Sequence, residues 1–143
     1  MTYVIDASVA AKWFIAEPLR TEACRFLDYR ERLHAPDLLV TEVASIAWKR
    51  VRRNEISTDQ ARTMVMIVRC YIPNLHASSD LVDTALTIAI ELRHPIYDCL
   101  YLACLERSPD AVLITADTRL HGRTIDSRFR ARVRHLRDIA VLD

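Results

Sequence analysis

The sequence predicts an α/β protein with a small parallel sheet that is covered by helices on both faces. Short apolar segments that end in a carboxylate, such as "YVID" at 3–6 and "AVLITAD" at 111–117, alternate with longer segments of helical periodicity. This alternation is typical of parallel sheets, whose strands are buried on both faces. The 143 residues are 51% hydrophobic and 27% charged, which predicts a single domain, over 1–143, with a substantial core.

The spacing of apolar residues and a few local signals set the bounds of each element. Ser57, with Gln60 three residues later, has the pattern of a capping box that opens a helix. Pro95 ends another helix, because the residue before a proline, here His94, is disfavoured in the α conformation. The predicted strands and short extended segments are 2–6, 33–35, 74–77, 111–115 and 133–136. The predicted helices are 7–16, 19–30, 37–53, 58–71, 80–93, 98–107 and 118–124.

Several classes of site and location are excluded by features that the sequence lacks. Gly122 is the only glycine, so neither of the glycine-rich phosphate-binding loops is present. The five histidines do not have the spacing of a zinc site, and the four cysteines form no C-x-x-C pair. Free thiols favour a reducing cytoplasm. No apolar segment approaches the roughly 20 residues that cross a bilayer, and we recognise no signal peptide, so we expect a cytoplasmic protein that is not inserted in a membrane.

Four acidic residues lie where a parallel sheet would bring side chains together. Asp6 and Asp117 each follow a predicted strand, Asp98 lies at a predicted helix start, and Glu42 interrupts an apolar helix face. Each aspartate has a simpler role as a helix cap, and Glu42 would be exposed in a shifted register. If the strands are neighbours, the carboxylates meet at one edge of the sheet and repel one another, unless cations bind or their pKa values rise. Hard oxygen ligands favour Mg²⁺, with Mn²⁺ as a substitute.

Four segments, in this order, resemble PIN-domain ribonucleases, in particular the VapC-type toxins of bacterial toxin–antitoxin pairs. They are "VIDASVAAKWF", "APDLLVTEVASIAW", "PIYDCLYLACLER" and "AVLITADTRL". The resemblance implies a PIN-like three-layer fold with an acidic metal centre. The residues that match the family's site are Asp6, Glu42, Asp98 and Asp117 as metal-site acids, Thr115 as the small hydroxyl of the last motif, and Ser8 as a serine that holds Asp6 or a metal-bound water.

The resemblance also implies a function and partners. The protein would be a Mg²⁺-dependent endoribonuclease that hydrolyses RNA phosphodiester bonds, the toxin of a type II toxin–antitoxin system. Asp6 and Asp98 would be the principal metal ligands, and an antitoxin would occlude the acidic site. Some relatives carry a further acid after the last motif, where this chain has Thr118-Arg119-Leu120, so a second ion is expected only with the substrate. A homodimer is expected as well.

Arginines supply nearly all of the positive charge, since only Lys12 and Lys49 are lysines. Arginines alternate with other residues through 128–134, and an extended chain would place them on one side, where they could bind RNA phosphates. A solvated sheet edge or an ion-pairing face explains the same pattern. The candidate contacts with RNA or with the antitoxin are Arg119, Arg123, Arg128 and Arg130.

Other functions are compatible with parts of the sequence. A receiver-like interaction module needs an acidic pair after the first strand and a late lysine, whereas this chain has a lone Asp6 and no lysine after Lys49. A D-x-D phosphatase is disfavoured because position 8 is serine. A non-catalytic, metal-binding PIN scaffold stays open. The large apolar residues Trp13, Phe14, Trp48, Met64 and Met66 are expected in the core or on a partner-binding face.

Overall fold

A five-stranded, fully parallel sheet forms the centre of the computed structural model, which describes residues 1–141, with only the backbone described for residues 140 and 141. The spatial order of the strands is β3-β2-β1-β4-β5, so the first strand is central. In register, Tyr3 of β1 lies beside Leu33 of β2 on one side and Val112 of β4 on the other. The strands are β1 (Tyr3–Ile5), β2 (Leu33–Pro36), β3 (Asn74–His76), β4 (Val112–Thr115) and β5 (Val133–His135).

Helices cover both faces of this sheet. The chain steps outward from β1 to β3 and then back across the sheet to β4 and β5, so right-handed crossovers place α1–α4 on one face and α5–α7 on the other. This arrangement confirms the predicted α/β class with three layers. Within the described residues the helices are α1 (Ala7–Ala10), α2 (Arg20–Cys24), α3 (Leu38–Arg52), α4 (Thr58–Tyr71), α5 (Ser78–Leu92), α6 (Ile96–Glu106) and α7 (Thr118–Thr124).

Helix α6 is the most deeply buried helix on its face. Its residues 99–105 are all buried, as expected of a helix that is apolar all round. It packs against β1, β2 and β4, while α5 covers its outer side. The N-terminal turn of α6, with Asp98, therefore lies next to the end of the sheet.

The predicted helices 7–16 and 19–30 are wrong in extent. Helix α1 ends after one turn and continues as a 3-10 turn at Ala11–Trp13, and a 3-10 segment follows α2 at Arg25–Arg32. Pro18 restricts the residue before it to extended conformations, and Leu19 then adopts a positive φ of 68°. The compact connection buries Trp13, whose Nε1 donates a hydrogen bond to the Ala23 carbonyl at 2.9 Å.

The large apolar residues divide between core and surface. Trp13 and Met64 are buried, whereas Trp48 and Met66 are 55% and 61% exposed and line an apolar groove between α3 and α4. Among the helices of the described region, none combines the length and the apolar composition that crossing a membrane requires.

Candidate active site

Asp6 lies where β1 ends and α1 begins. Its backbone N–H donates to the Ile114 carbonyl at 3.1 Å, and its carbonyl accepts the N–H groups of Val9 and Ala10, the first bonds of the helix. Its side chain makes no capping bond, so the helix-cap explanation is wrong for this carboxylate. The side chain is only 5% exposed and is free for another role.

Two hydroxyl groups hold one oxygen of Asp6. Ser8 Oγ and Thr115 Oγ1 each lie 2.7 Å from Asp6 Oδ2. Each hydroxyl also accepts a backbone N–H at 3.0 Å, Ser8 from Ala116 and Thr115 from Asp117. Because these lone pairs are occupied by N–H donors, both hydroxyl protons are directed to Asp6. The end of β1 is thereby tied to the turn after β4.

Glu42 lies in α3 and bonds across to the opposite helical layer. The Tyr101 hydroxyl, from α6, donates to Glu42 Oε1 at 2.6 Å. Burial raises the pKa of Glu42 to about 7; the tyrosine bond opposes this rise, and the charges of Asp6, Asp98 and Asp117 add to it. Burial likewise raises the pKa of Tyr101 well above its usual value, so the phenol stays a donor. Glu42 is half-buried and faces the site, so the shifted, surface-facing register is wrong.

Asp98 lies in the first turn of α6, after Ile96 has begun the helix. It was predicted to stand at the helix start, but Pro95 occupies the N-cap position instead. Asp98 Oδ2 lies 2.6 Å from Nε2 of His94. This histidine was not predicted as a site residue, although its place four residues before Asp98 and just before a proline was a usable signal.

Asp117 caps a helix, as its simpler explanation predicted, and its charge also reaches the other acids. Its Oδ1 accepts the backbone N–H groups of Arg119 at 2.8 Å and Leu120 at 3.3 Å, which caps α7. Its charge nevertheless acts on Asp6 and Glu42, whose pKa values it raises. A capping bond uses one carboxylate oxygen only.

The four acids share one arrangement of their oxygens. In each, one oxygen accepts hydrogen bonds from the protein, while no donor within residues 1–141 bonds to the other. The oxygens without a protein donor are Asp6 Oδ1, Glu42 Oε2, Asp98 Oδ1 and Asp117 Oδ2.

The charges of these carboxylates oppose one another. Burial raises the pKa of Asp6 from 3.8 to about 6; the bonds from Ser8 and Thr115 lower it, and the charges of Asp98 and Asp117 raise it further. Within the described chain, however, no three His, Cys, Asp or Glu side chains lie close enough to form a ready-made metal site. The acids are therefore electrostatic neighbours, and not a preformed cage. Their all-oxygen donor set and their repulsion suit a hard divalent cation.

A cleft of about 520 Å³ opens beside Asp98, and the predicted contacts Arg119 and Arg123 line it. The predicted extended arginine band beyond them is wrong, because Arg130–Arg132 is a 3-10 turn and only Val133–His135 is a strand.

Two of the arginines in that stretch serve the fold. Arg128 forms ion pairs with Glu91, at 3.1 Å, and with Glu106, so it lies on an ion-pairing face. Arg132 donates to the carbonyls of Leu105, Ser108 and Ala111.

Comparison with known proteins identifies the family of this chain. The PIN domain family matches residues 3–124, a range that holds all four acids. Ribonuclease VapC3 of Pyrobaculum aerophilum is 30% identical over 122 residues, which cover 84% of this chain and 92% of that protein. The crystal structure of PAE2754 from Pyrobaculum aerophilum has a TM-score of 0.74 at 20% identity, covers 99% of this chain and 88% of its own, and shows the same fold. The chain therefore belongs to the PIN-domain family, as a ribonuclease of the VapC type.

Proposed function

We propose that this protein is a Mg²⁺-dependent endoribonuclease that hydrolyses RNA phosphodiester bonds, and that it is the toxin of a type II toxin–antitoxin pair. The observation that carries the proposal is the set of four coupled carboxylates, each with one oxygen to which no donor of residues 1–141 bonds. The likeness to Ribonuclease VapC3 supports RNA as the substrate.

Asp6 and Asp98 are the principal ligands in this proposal, with Glu42 and Asp117 completing the site directly or through water. When bound, Mg²⁺, or Mn²⁺ in its place, polarises the scissile phosphate and lowers the pKa of the attacking water. The cation also offsets the repulsion that raises the pKa values of Asp6 and Glu42.

The chain's own contribution is to hold the carboxylates in fixed orientations. Ser8 and Thr115 fix Asp6 through a single oxygen, which leaves the other oxygen oriented for a ligand. Tyr101 does the same for Glu42, and His94 does so for Asp98. Partners that orient a ligand strengthen metal sites, so these residues act by positioning.

In this proposal, a cognate antitoxin binds the groove between α3 and α4. Trp48 and Met66 provide an exposed apolar floor, and Arg62 and Arg69 lie at its sides, which suits an amphipathic acidic segment. Glu42 lies about 9 Å from Trp48 along the axis of α3 but on a different side of the helix, so a partner that occludes the acidic site must extend beyond this groove.

A homodimer and a cytoplasmic location complete the proposal. Val82, Leu86 and Ile90 form an exposed aliphatic stripe along one side of α5, a surface that a second copy would cover. The cysteines Cys24, Cys70, Cys99 and Cys104 are all free thiols, in keeping with a reducing compartment.

The test is cleavage of labelled RNA by the purified full chain. We expect cleavage with Mg²⁺, none with EDTA, and a loss of at least about 100-fold in Asp6→Asn, because that variant removes a ligand charge. Asp83→Asn is the matched control, since Asp83 is exposed on α5, away from the four acids. Cleavage that survives both EDTA and Asp6→Asn contradicts the metal mechanism. Stabilisation by Mg²⁺ without cleavage supports the non-catalytic scaffold instead.

A further inference from the structure

The cleft beside Asp98 is lined by three arginines and two aspartates, so its lining carries a small net positive charge with His94 neutral. Arg93, at the end of α5, faces it together with Arg119 and Arg123 of α7, while Asp98 and Asp126 are its acidic residues. Three guanidinium groups around one space of about 520 Å³ repel one another, and an anion placed between them removes that repulsion.

These three guanidinium groups are not used by the fold. Within residues 1–141, none of them forms an ion pair or a side-chain hydrogen bond with the protein. By contrast, the guanidiniums of Arg128 and Arg132 bind glutamates and backbone carbonyls. The arginines of the cleft therefore keep their forked donors for a ligand, a geometry that matches phosphate.

Arg93 occupies a backbone position that disfavours any side chain. It follows the last residue of α5 with φ 53° and ψ 49°, in the left-handed region, and its N–H bonds to the Ala89 carbonyl. Glycine is the usual residue at such a helix end because it has no Cβ. An arginine here costs stability that glycine would not, which is explained if its guanidinium has a role in the cleft.

Gly122 lines the cleft between Arg119 and Arg123, inside α7. A Cβ built at this position meets nothing within 4 Å, so packing does not require a glycine. Glycine is also unfavourable inside a helix. Because Gly122 has no side chain, nothing projects from this position into the cleft, and a ligand can approach the backbone of α7.

We propose that this cleft binds a phosphate of the RNA strand next to the phosphate that is cleaved. The inference rests on the proposed ribonuclease function, because Asp98 is shared between the cleft and the acidic site. When one phosphodiester of the RNA lies at the four acids, the neighbouring phosphate along the RNA lies past Asp98, next to Arg93, Arg119 and Arg123. Phosphate contacts of this sort position the strand and carry no sequence information.

The experiment measures binding separately from cleavage. A short, fluorescein-labelled single-stranded RNA is titrated in EDTA with full-length protein that carries Asp6→Asn, and fluorescence anisotropy is recorded over a range of NaCl concentrations. Adding Arg93→Gly should weaken binding about tenfold and reduce the slope of log K against log salt by about 0.7. The melting temperature should not fall, because glycine suits the left-handed position.

Matched variants separate the cleft from overall charge. Arg53→Ala also removes one exposed guanidinium, at the end of α3, and should leave binding within about twofold. Gly122→Leu keeps all three arginines but fills the cleft, and should weaken binding as Arg93→Gly does. Arg123→Gln, in a helical position, provides the same test if Arg93→Gly lowers the melting temperature.

Two results overturn the inference. One is RNA binding by Arg93→Gly, Arg123→Gln and Gly122→Leu that equals binding by Arg53→Ala. The other comes from titrating a fluorescein-labelled polyglutamate peptide in the same way: if the three cleft variants lose binding to this peptide while their RNA binding is unchanged, the cleft binds an acidic protein. Because binding is measured without catalysis, either result leaves the nuclease proposal standing. Conversely, if the wild-type protein does not cleave RNA, the nuclease proposal is contradicted, while the binding result for the cleft is unaffected.

Discussion

Asp6 illustrates how burial controls the chemistry of a single carboxylate. Its pKa is raised to about 6 in the folded protein, against 3.8 ordinarily. A raised acid pKa contributes stability that is fully present below the ordinary value and is lost as the pH rises through the folded value. For Asp6 the loss is on the order of 3 kcal/mol, and Glu42, with a pKa of about 7, acts in the same direction.

The first prediction therefore concerns pH and metal together. In EDTA, the melting temperature of the wild type should fall as the pH rises from about 4 to about 7, relative to that of Asp6→Asn. Mg²⁺ should raise the melting temperature more at the upper end of this range, because it binds the ionised carboxylates. Thermal unfolding followed by circular dichroism measures both effects. Identical pH profiles for the wild type and Asp6→Asn would contradict the burial effect.

The second prediction concerns Tyr101, whose hydroxyl stabilises ionised Glu42. Tyr101→Phe removes this donor, so the pKa of Glu42 rises further and Mg²⁺ must displace a proton more often. Near neutral pH, the Mg²⁺ concentration for half-maximal RNA cleavage should rise several-fold, and the difference should narrow in more alkaline buffer. Tyr97→Phe, on the exposed side of the same helix, is the control. An unchanged Mg²⁺ requirement would show that Tyr101 does not tune Glu42.

Individual site residues were predictable to the extent that their signals are local. The four acids stand out because a carboxylate after a buried strand, or inside an apolar helix face, is conspicuous in the sequence. Tyr101 gave no such signal, since a tyrosine in the apolar segment 99–105 reads as ordinary core. Its bond to Glu42 joins residues from opposite helical layers, and only the tertiary fold brings them together.

At the scale of elements, Arg132 joins three pieces of backbone. Its guanidinium donates to the carbonyls of Leu105, near the end of α6, and of Ser108 and Ala111, in the loop before β4. Hydrogen bonds from a charged donor are among the stronger ones, and here they add to the backbone N–H bonds that Leu105 and Ser108 already accept. This single side chain thus fixes the approach to the strand that carries Thr115.

The third prediction tests that role. Arg132→Gln should lower the free energy of unfolding by about 2–4 kcal/mol, because three hydrogen bonds from a charged donor are lost. The neighbouring Arg130→Gln should change it by less than about 0.5 kcal/mol, since Arg130 is exposed. Urea unfolding of both variants provides the comparison. Equal losses would mean that Arg132 is no more than a surface charge.

Elements with complete local signals were predicted well. Helix 58–71 was predicted from its capping box, and the structure has Ser57 Oγ accepting the Gln60 N–H at 3.0 Å, with the reciprocal bond at 2.7 Å. The helical segment after β1 was predicted too long. Its length depends on the need to bury Trp13 and to return the chain to β2, which is not a local signal. The alternation of arginines through 128–134 wrongly predicted an extended segment, because charge spacing alone does not distinguish a strand from a 3-10 turn.

At the scale of the whole molecule, the exposed stripe on α5 bears on assembly. Val82, Leu86 and Ile90 are 41%, 51% and 71% exposed and recur every four residues, so they lie on one side of the helix. The fourth prediction is that Leu86→Asp converts a dimer to a monomer, as measured by light scattering after size-exclusion chromatography. Thr84→Asp, exposed on the same helix, is the control and should not change the mass. If the wild-type protein is already a monomer, the prediction that α5 forms a dimer interface is wrong.

The overall architecture was predictable as a class, but not in its strand order. Short apolar segments alternating with helices favour a parallel sheet, and carboxylates at the ends of neighbouring strands then share an edge. The order β3-β2-β1-β4-β5 depends on the reversal after β3, where the chain crosses back over two strands. Nothing local in the sequence encodes that reversal.

The central position of β1 has a consequence for when, during synthesis, the four acids can come together. Asp6 is synthesised among the first residues, yet its strand is completed by β4, and Tyr3 pairs with Val112. The hydroxyl of Thr115 and the carboxylates of Asp98 and Asp117 also arrive late. Because translation runs from the N-terminus, a polypeptide abandoned before residue 117 lacks an assembled centre. An interrupted message would thus yield a fragment without the assembled acids, and the proposed centre can form only once synthesis has passed that point.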